Sequence, residues 1–117
     1  MVILIVDNNA AVRRLIRRTI AGSNYEVHEC ADGDEALKRF SEISPDLTLM
    51  DIRMPGTDGL TATRKIIEKY PDAQIVIVTD FDVREIKAAA FTAGAKAYVL
   101  KDNLSDIEAV ISGLLMR

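Results

Sequence analysis

Four polar side chains of complementary chemistry follow directly after apolar segments that lie far apart in the chain. They are two carboxylates, a hydroxyl and an ammonium group: Asp7, Asp51, Thr79 and Lys101. If the apolar segments are parallel strands of one sheet, their carboxyl ends share one edge, and ligands bind at that edge. Two carboxylates there could supply a nucleophile and a metal ligand, while the hydroxyl and the ammonium group could hold oxyanions. We therefore expect one polar site built from four strand ends.

The strand that delivers Asp51 is the clearest of these segments. Residues 47–50 (Leu-Thr-Leu-Met) form a short apolar or near-apolar run, which is typical of a strand covered on both faces. The dipeptides Pro-Gly at 55–56 and Asp-Gly at 58–59 then indicate a loop. Asp51 is thus predicted to lie at the end of a buried central strand, where an acid points into a ligand crevice.

Strands and amphipathic helices alternate along the whole chain, which predicts a parallel sheet with helices on both faces. Four predicted strands are apolar runs, whereas the second mixes polar and apolar residues, as an edge strand does. The predicted strands cover residues 2–6, 25–30, 47–50, 75–78 and 97–100. Since a helical pattern follows each of them, the chain consists of five β/α units.

The first helix is predicted to begin at a cap formed by Asn8 or Asn9 and to end at Gly22. The outer face of this helix carries four arginines, at positions 13, 14, 17 and 18. The pattern is typical of a solvated face, and the alternative is a surface that docks an acidic face of a kinase. The inner face of the helix is expected to comprise Val12, Leu15, Ile16, Thr19 and Ile20.

The other helices follow from the same spacing. The second is predicted to open at residues 33–34, and the third to run from about residue 60 to residue 70. The fourth should bury Val83, Ile86, Ala90 and Ala93 before it ends at Gly94. The last is expected to have a cap near Asn103 and an apolar face of Leu104, Ile107, Ile111, Leu114 and Leu115.

The 117 residues are predicted to form one domain, residues 1–117, with an ordinary globular composition. The net charge of −3 argues against direct nucleic-acid binding, because a phosphate backbone requires a basic surface. No apolar run is long enough to span a bilayer, and the N-terminus lacks signal-peptide features, so we expect no membrane contact and a cytoplasmic location. The single cysteine, Cys30, is expected to be a buried core thiol.

The order of these residues resembles the receiver domain of two-component response regulators. The matching positions are Asp7, Asp51, residues 54–59, Thr79, Tyr98 and Lys101. The resemblance covers essentially the whole chain. It implies a flavodoxin-like α/β fold: a doubly wound, five-stranded parallel sheet with strand order 2-1-3-4-5 and five helices.

The resemblance also implies a chemical role for each site residue. Asp51 would accept a phosphoryl group from a histidine kinase or a phosphotransfer domain, which is signalling by phosphorelay and not enzymatic turnover. Mg²⁺ is the implied cofactor, with Asp7, Asp51, Asn8 and the backbone carbonyl of Arg53 as its ligands. Carboxylate is a competent nucleophile for phosphorus, and Mg²⁺ needs only one or two carboxylates beside phosphate and water.

The remaining roles concern the phosphoryl oxygens and the output. Thr79 and Lys101 would bind the phosphoryl group, and Thr79 and Tyr98 match the switch positions of the family. Phosphorylation would then change the surface around Tyr98. The implied partners are the kinase, a second copy of the chain in a phosphorylation-dependent homodimer, and a C-terminal DNA-binding output domain outside this chain that regulates transcription.

The chain departs from the receiver pattern in three places. Asn8 stands where the family usually has a second acid, so the predicted affinity for Mg²⁺ is weakened by the loss of one charge. Asp80 puts a carboxylate where a small residue is common, and Asp102 replaces a frequent proline. These departures leave an alternative open: a receiver-like interaction module that works without phosphorylation.

Two enzyme or carrier classes fit the residues less well. A phosphatase of the haloacid dehalogenase type requires a second aspartate two residues after its nucleophile, and position 53 is arginine. A flavin carrier requires a phosphate loop rich in hydroxyl groups and glycine after the first strand, which residues 7–11 do not form.

Overall fold

The structure is a computed structural model that describes residues 1–115. Its centre is a parallel sheet of five strands in the order β2-β1-β3-β4-β5, as predicted. The strands are β1 (Val2–Val6), β2 (Glu26–Cys30), β3 (Leu47–Met50), β4 (Ile75–Thr79) and β5 (Ala97–Leu100). The helices are α1 (Ala10–Thr19), α2 (Gly33–Ile43), α3 (Gly59–Lys69), α4 (Arg84–Ala93) and α5 (Ile107–Leu115). The flavodoxin-like fold is confirmed.

Helices cover both faces of the sheet, and each face has its own core. On one face α2, α3 and α4 pack against alternate strand residues such as Leu4 and Met50. On the other face α1 and α5 pack against the intervening residues, such as Ile3 and Leu49. Since both faces are covered, β1, β3 and β4 are almost wholly buried and read as continuous apolar runs. The edge strand β2 is partly exposed, as its mixed composition predicted.

The first helix differs from its prediction at both its end and its inner face. It ends at Thr19, and Gly22 lies in a separate 3₁₀ segment, Ala21–Ser23. Ile16 and Ile20 are buried, but Leu15 is 47% exposed. Leu15 is about 100° around the helix from Ile16, which turns it away from the sheet.

Two further predictions about helix starts were wrong. Val83 is 43% exposed, because it is the extended residue before α4 and not part of its inner face. Asn103 does not cap α5, which begins at Ile107. Instead, a 3₁₀ segment, Lys101–Asp106, carries the chain from β5 to α5, and Asn103 is a non-helical residue inside it.

Cys30 lies in the core, where the sequence predicted it. Cys30 is buried in the core under α2, and burial raises the pKa of its thiol to about 12, so it stays protonated at neutral pH. This confirms the predicted core thiol.

Within residues 1–115, no helix has the length and apolar character needed to cross a bilayer.

Candidate functional site

A cleft of about 460 Å³ opens at the carboxyl ends of the strands. Six of the seven predicted site residues line it: Asp7, Asn8, Asp51, Arg53, Thr79 and Lys101. Asp7 follows β1, Asp51 follows β3, Thr79 ends β4, and Lys101 follows β5. Tyr98 lies outside the cleft, on the edge strand β5. The fold thus brings together groups that are far apart in the sequence, since Asp7 and Lys101 are separated by 94 positions.

The centre of the cleft is a buried pair of carboxylates bridged by one ammonium group. Asp7 is 1% exposed and Asp51 is 5% exposed. The Nζ of Lys101 lies 2.8 Å from Oδ2 of Asp7 and 3.3 Å from Oδ2 of Asp51. Two negative charges therefore share one positive charge, which leaves the three groups with a deficit of one positive charge when all are ionised.

Burial and the neighbouring charges shift the pKa values of Asp51 and Lys101. Burial and the neighbouring Asp7 carboxylate raise the pKa of Asp51 above its ordinary value, although Lys101 and the Ile52 amide act in the opposite direction. Burial alone would lower the pKa of Lys101, but its hydrogen bond to Asp7 and the charge of Asp51 raise it. The ammonium group is therefore firmly charged, and the carboxylate pair is not fully compensated.

Backbone contacts hold Asp51 in place. Its amide donates to the carbonyl of Val6 on β1, with an N–O distance of 2.9 Å. The chain after Asp51 then folds back so closely that a Cβ at Gly59 would lie 1.8 Å from the Asp51 carbonyl oxygen. The Gly59 amide donates to the carbonyl of Ile52 at 2.8 Å. Only glycine fits this close approach, which explains the Asp-Gly pair of the sequence.

The loop between β3 and α3 is also tied to α2. The hydroxyl of Thr57 donates to Oδ1 of Asp34 at 2.5 Å, and Gly56 has a positive φ of 72°. Asp58 caps α3 by accepting from the amide of Thr61 at 2.9 Å. Sequence reasoning identified this loop but missed Asp34, because the partner residues are 23 positions apart.

The sequence left open whether Asn8 or Asn9 caps α1, and in the structure the cap is Asn9. The side chain of Asn9 caps α1 by accepting from the amides of Ala11 and Val12, at 2.9 and 3.2 Å. Asn8 is not the cap, and its exposed side chain lines the cleft beside Asp7. The amide oxygen of Asn8 is therefore available to a ligand in the cleft.

A chain of contacts leads from Thr79 to Tyr98. The amide of Phe81 donates to Oγ1 of Thr79 at 3.4 Å, and the hydroxyl of Tyr98 donates to the carbonyl of Phe81 at 2.7 Å. Tyr98 is half-buried, and the guanidinium of Arg53 stacks over the Phe81 ring at 4.7 Å. Phe81 thus links the cleft to the edge strand, which the sequence did not indicate.

The donor set fits a magnesium ion. Mg²⁺ is usually held by one or two carboxylates, with water and phosphate as the remaining ligands. Asp7 and Asp51 supply two carboxylates, and Asn8 and Arg53 line the same cleft. Residues 1–115 contain no group of three or more His, Cys, Asp or Glu arranged to hold a metal, so a closed cage of such side chains is absent. The negative charge of the carboxylate pair that Lys101 does not compensate favours a divalent cation.

Comparison with known proteins gives a consistent result. A family model described as response regulator receiver domain matches residues 3–112. The uncharacterized transcriptional regulatory protein YhcZ of Bacillus subtilis (strain 168) is 42% identical over 104 residues. That match covers 87% of this chain and 49% of YhcZ. The chain spans about half the length of the first curated relatives it matches.

Two solved response regulators share the fold. One is a LuxR-family response regulator from Aurantimonas sp. SI85-9A1, with a TM-score of 0.85 and 36% identity. That match covers 96% of this chain and 85% of the regulator's chain. The other is TrrA from Thermotoga maritima in complex with Mg²⁺ and BeF, with a TM-score of 0.89 and 32% identity. The TrrA match covers 97% of this chain and 98% of that chain.

The carboxylate pair predicts that Asp51→Asn raises the thermal unfolding temperature at neutral pH without divalent cations. The substitution removes a buried charge beside Asp7, while Lys101 keeps its 2.8 Å contact with Asp7. Because the pKa of Asp51 is raised by folding, the stability due to its protonation is present below the unfolded pKa and lost as the pH rises through the folded pKa. The gain from Asp51→Asn should therefore shrink as the pH falls from neutral to about 4.

Thermal unfolding followed by circular dichroism measures this difference. Asp80→Asn is the matched control, because Asp80 lines the same cleft but is exposed. Its unfolding temperature should stay close to that of the parent. A lower unfolding temperature for Asp51→Asn at neutral pH, or a gain that grows as the pH falls, would contradict this reading of the site.

Proposed function

The chain belongs to the family of response regulator receiver domains, and from that premise we propose that it accepts a phosphoryl group on Asp51 as part of a two-component system. The observation that carries this proposal is the position of Asp51. It is a buried carboxylate at the end of the central strand β3, and it faces Lys101 and Asp7 across the cleft. A histidine kinase or a phosphotransfer domain is the proposed donor.

The proposed reaction is a displacement at phosphorus. A carboxylate oxygen of Asp51 forms the new bond, and the bond from phosphorus to the donor nitrogen, or to the oxygen of a small phosphodonor, breaks with its electron pair on the leaving group. Such transfer depends mainly on positioning and on charge stabilisation. The ammonium group of Lys101 and the hydroxyl of Thr79 are proposed to hold the phosphoryl oxygens.

Mg²⁺ is the proposed cofactor, and when bound it would neutralise charge on the phosphoryl oxygens. Its proposed ligands are Asp7, Asp51, Asn8 and the backbone carbonyl of Arg53, and these four residues line the cleft. No observation favours the alternative of an interaction module without phosphorylation. The cleft assembles both carboxylates, the hydroxyl and the ammonium group that the phosphoryl chemistry requires.

The output of the whole protein is proposed from its relatives. The similar regulators include a transcriptional regulatory protein and a member of the LuxR family, and this chain matches only about half of the first curated relatives. We therefore propose that the whole protein carries a C-terminal DNA-binding domain and regulates transcription. The receiver itself has a net charge of −3 and is not proposed to bind DNA.

The phosphoryl acceptor is tested by incubation with acetyl phosphate and Mg²⁺, followed by intact mass measurement. The parent should gain the mass of one phosphoryl group, and Asp51→Asn should gain none. Asp80→Asn keeps Asp51 and Asp7 and removes a third carboxylate that lines the cleft, so it should label at least as well as the parent. Equal labelling of Asp51→Asn, or no labelling of the parent, would overturn the proposal.

The role proposed for Asn8 predicts that Asn8→Asp binds Mg²⁺ about tenfold more tightly, because a full negative charge is added beside the ion. Calorimetric titration measures the affinity. Asn9→Asp is the matched control, since it adds the same charge at the adjacent residue, and an aspartate at position 9 can still cap α1. Its affinity should change less. Weaker binding by Asn8→Asp, or an equal gain in Asn9→Asp, would contradict a direct ligand role.

The surface around Tyr98 is the proposed output of phosphorylation. A phosphoryl group on Asp51 that draws the Thr79 hydroxyl inward would compete with the Phe81 amide for it and shift the carbonyl that accepts from Tyr98. Tyr98 would then change rotamer, and the face formed by α4, β5 and α5 would change its affinity for a partner. A second copy of the chain and the output domain are the proposed partners of that face.

This switch predicts that beryllofluoride with Mg²⁺ shifts the NMR signals of Tyr98 and of Lys87, whose Nζ lies 5.8 Å from the Tyr98 ring centroid. Sedimentation should report increased self-association in the same sample. Tyr98→Phe lacks the hydroxyl that bonds to Phe81, so its response should be smaller while its labelling stays intact. Shifts confined to the loops around Asp7 and Asp51 would rule out transmission by this route.

A further inference from the structure

Arg13 lies in a different environment from the one its helical position predicted. Its side chain is only 18% exposed and points from α1 toward the edge strand β2. There its Nη1 donates to the backbone carbonyl of Asp7 at 2.5 Å, and its Nε donates to Oε1 of Glu29 at 2.9 Å. The guanidinium therefore bridges β2 to the main chain of a proposed metal ligand.

Glu29 is held firmly as the anchor of this bridge. Its second carboxylate oxygen accepts from Nε of Arg17 at 2.8 Å. Burial alone would raise the pKa of Glu29, but the hydrogen bonds and charges of Arg17 and Arg13 hold it below its usual range. Glu29 is thus an anion at neutral pH, and its two oxygens fix two guanidinium groups.

The Asp7 main chain is consequently held on both sides. Its amide donates to the carbonyl of Cys30 on β2 at 3.1 Å, while its carbonyl accepts from Arg13. That carbonyl belongs to the peptide group that leads into Asn8. The next amide, of Asn9, donates to Oδ1 of Asp7 at 2.8 Å. The segment that carries both Asp7 and Asn8 is therefore clamped from its main chain and from its side chain.

We propose that Arg13, anchored by Glu29, is a positioning residue that orients the Asp7 carboxylate and the Asn8 amide for a divalent cation. This inference rests on the proposed function, because the cation belongs to the phosphoryl site. Partners behind metal ligands fix the geometry of those ligands and tune their affinity. The side chain of Arg13 touches neither the acceptor Asp51 nor the bridging Lys101 in any described contact.

Two effects of opposite sign make the proposal testable. Arg13 carries a positive charge close to the cation site, so its charge alone opposes the binding of Mg²⁺. If only this charge mattered, Arg13→Gln would bind Mg²⁺ more tightly than the parent. If Arg13 positions the ligands, Arg13→Gln should instead weaken the affinity by about tenfold.

The experiment is a titration of the folded chain with Mg²⁺. The NMR amide signals of Asn8 and Asn9 report the fraction of chain with bound Mg²⁺, and hence the affinity. Arg14→Gln is the matched control, because it removes the same charge from the exposed side of the same helix. It should leave the affinity unchanged or slightly increased. Glu29→Gln should weaken binding as Arg13→Gln does. Arg13→Lys should recover only part of the affinity, since one ammonium group cannot reproduce the fork that bonds to both partners.

A measurement without metal separates positioning from mere stabilisation. The Asn9 amide, which donates to Asp7, should exchange faster with solvent in Arg13→Gln than in Arg14→Gln, measured where both variants are folded. A lower unfolding temperature with unchanged Mg²⁺ affinity and unchanged exchange would overturn the proposal. So would an affinity gain in Arg13→Gln that equals the gain in Arg14→Gln.

The parent distinguishes failure of this inference from failure of the proposed function. If the parent binds Mg²⁺ and is labelled by acetyl phosphate, but Arg13→Gln does not weaken binding, only the positioning role falls. If the parent neither binds Mg²⁺ nor becomes labelled, the proposed function falls and the positioning role falls with it.

Discussion

The structure depends on the burial of two carboxylates around a single ammonium group. Ionised carboxylates are costly to remove from water unless they are compensated, and Lys101 cannot compensate both Asp7 and Asp51. Burial and the Asp7 carboxylate therefore raise the pKa of Asp51, and the site has one negative charge in excess when all three groups are ionised. This excess negative charge favours a divalent cation. The cation and Lys101 together would then balance the charge of a phosphoryl group on Asp51. The site can therefore be understood as a balance of charge that a ligand completes.

The rest of the fold holds these groups where the balance is possible. Parallel strands bring their carboxyl ends to one edge, and the buried strands β1, β3 and β4 leave their terminal side chains little freedom. Main-chain contacts do the fine positioning: the close approach of Gly59 to Asp51, and the grip of Arg13 on Asp7. The contact from Thr79 through Phe81 to Tyr98 then gives the cleft a connection to the edge of the sheet.

Much of this arrangement could be predicted from the sequence, because it depends on local patterns. Apolar runs placed the four strands that lead into Asp7, Asp51, Thr79 and Lys101, and the strand order followed from the resemblance to receivers. The errors arose where the local structure depends on packing between segments that are distant in the sequence. Spacing alone could not reveal that Leu15 turns away from the sheet, nor that a 3₁₀ segment precedes α5. The bridge from Arg13 to Glu29 joins residues 16 positions apart, so the helical pattern showed Arg13 only as one of four outer arginines.

Asp51 is proposed to become covalently phosphorylated in a cation-dependent reaction. An acyl phosphate on aspartate is reduced by borohydride to homoserine, which peptide mass spectrometry can locate. We predict that treatment with acetyl phosphate, Mg²⁺ and borohydride converts residue 51 to homoserine, and that a chelator abolishes the conversion. Conversion at another acid, or equal conversion with and without Mg²⁺, would contradict this account of the site.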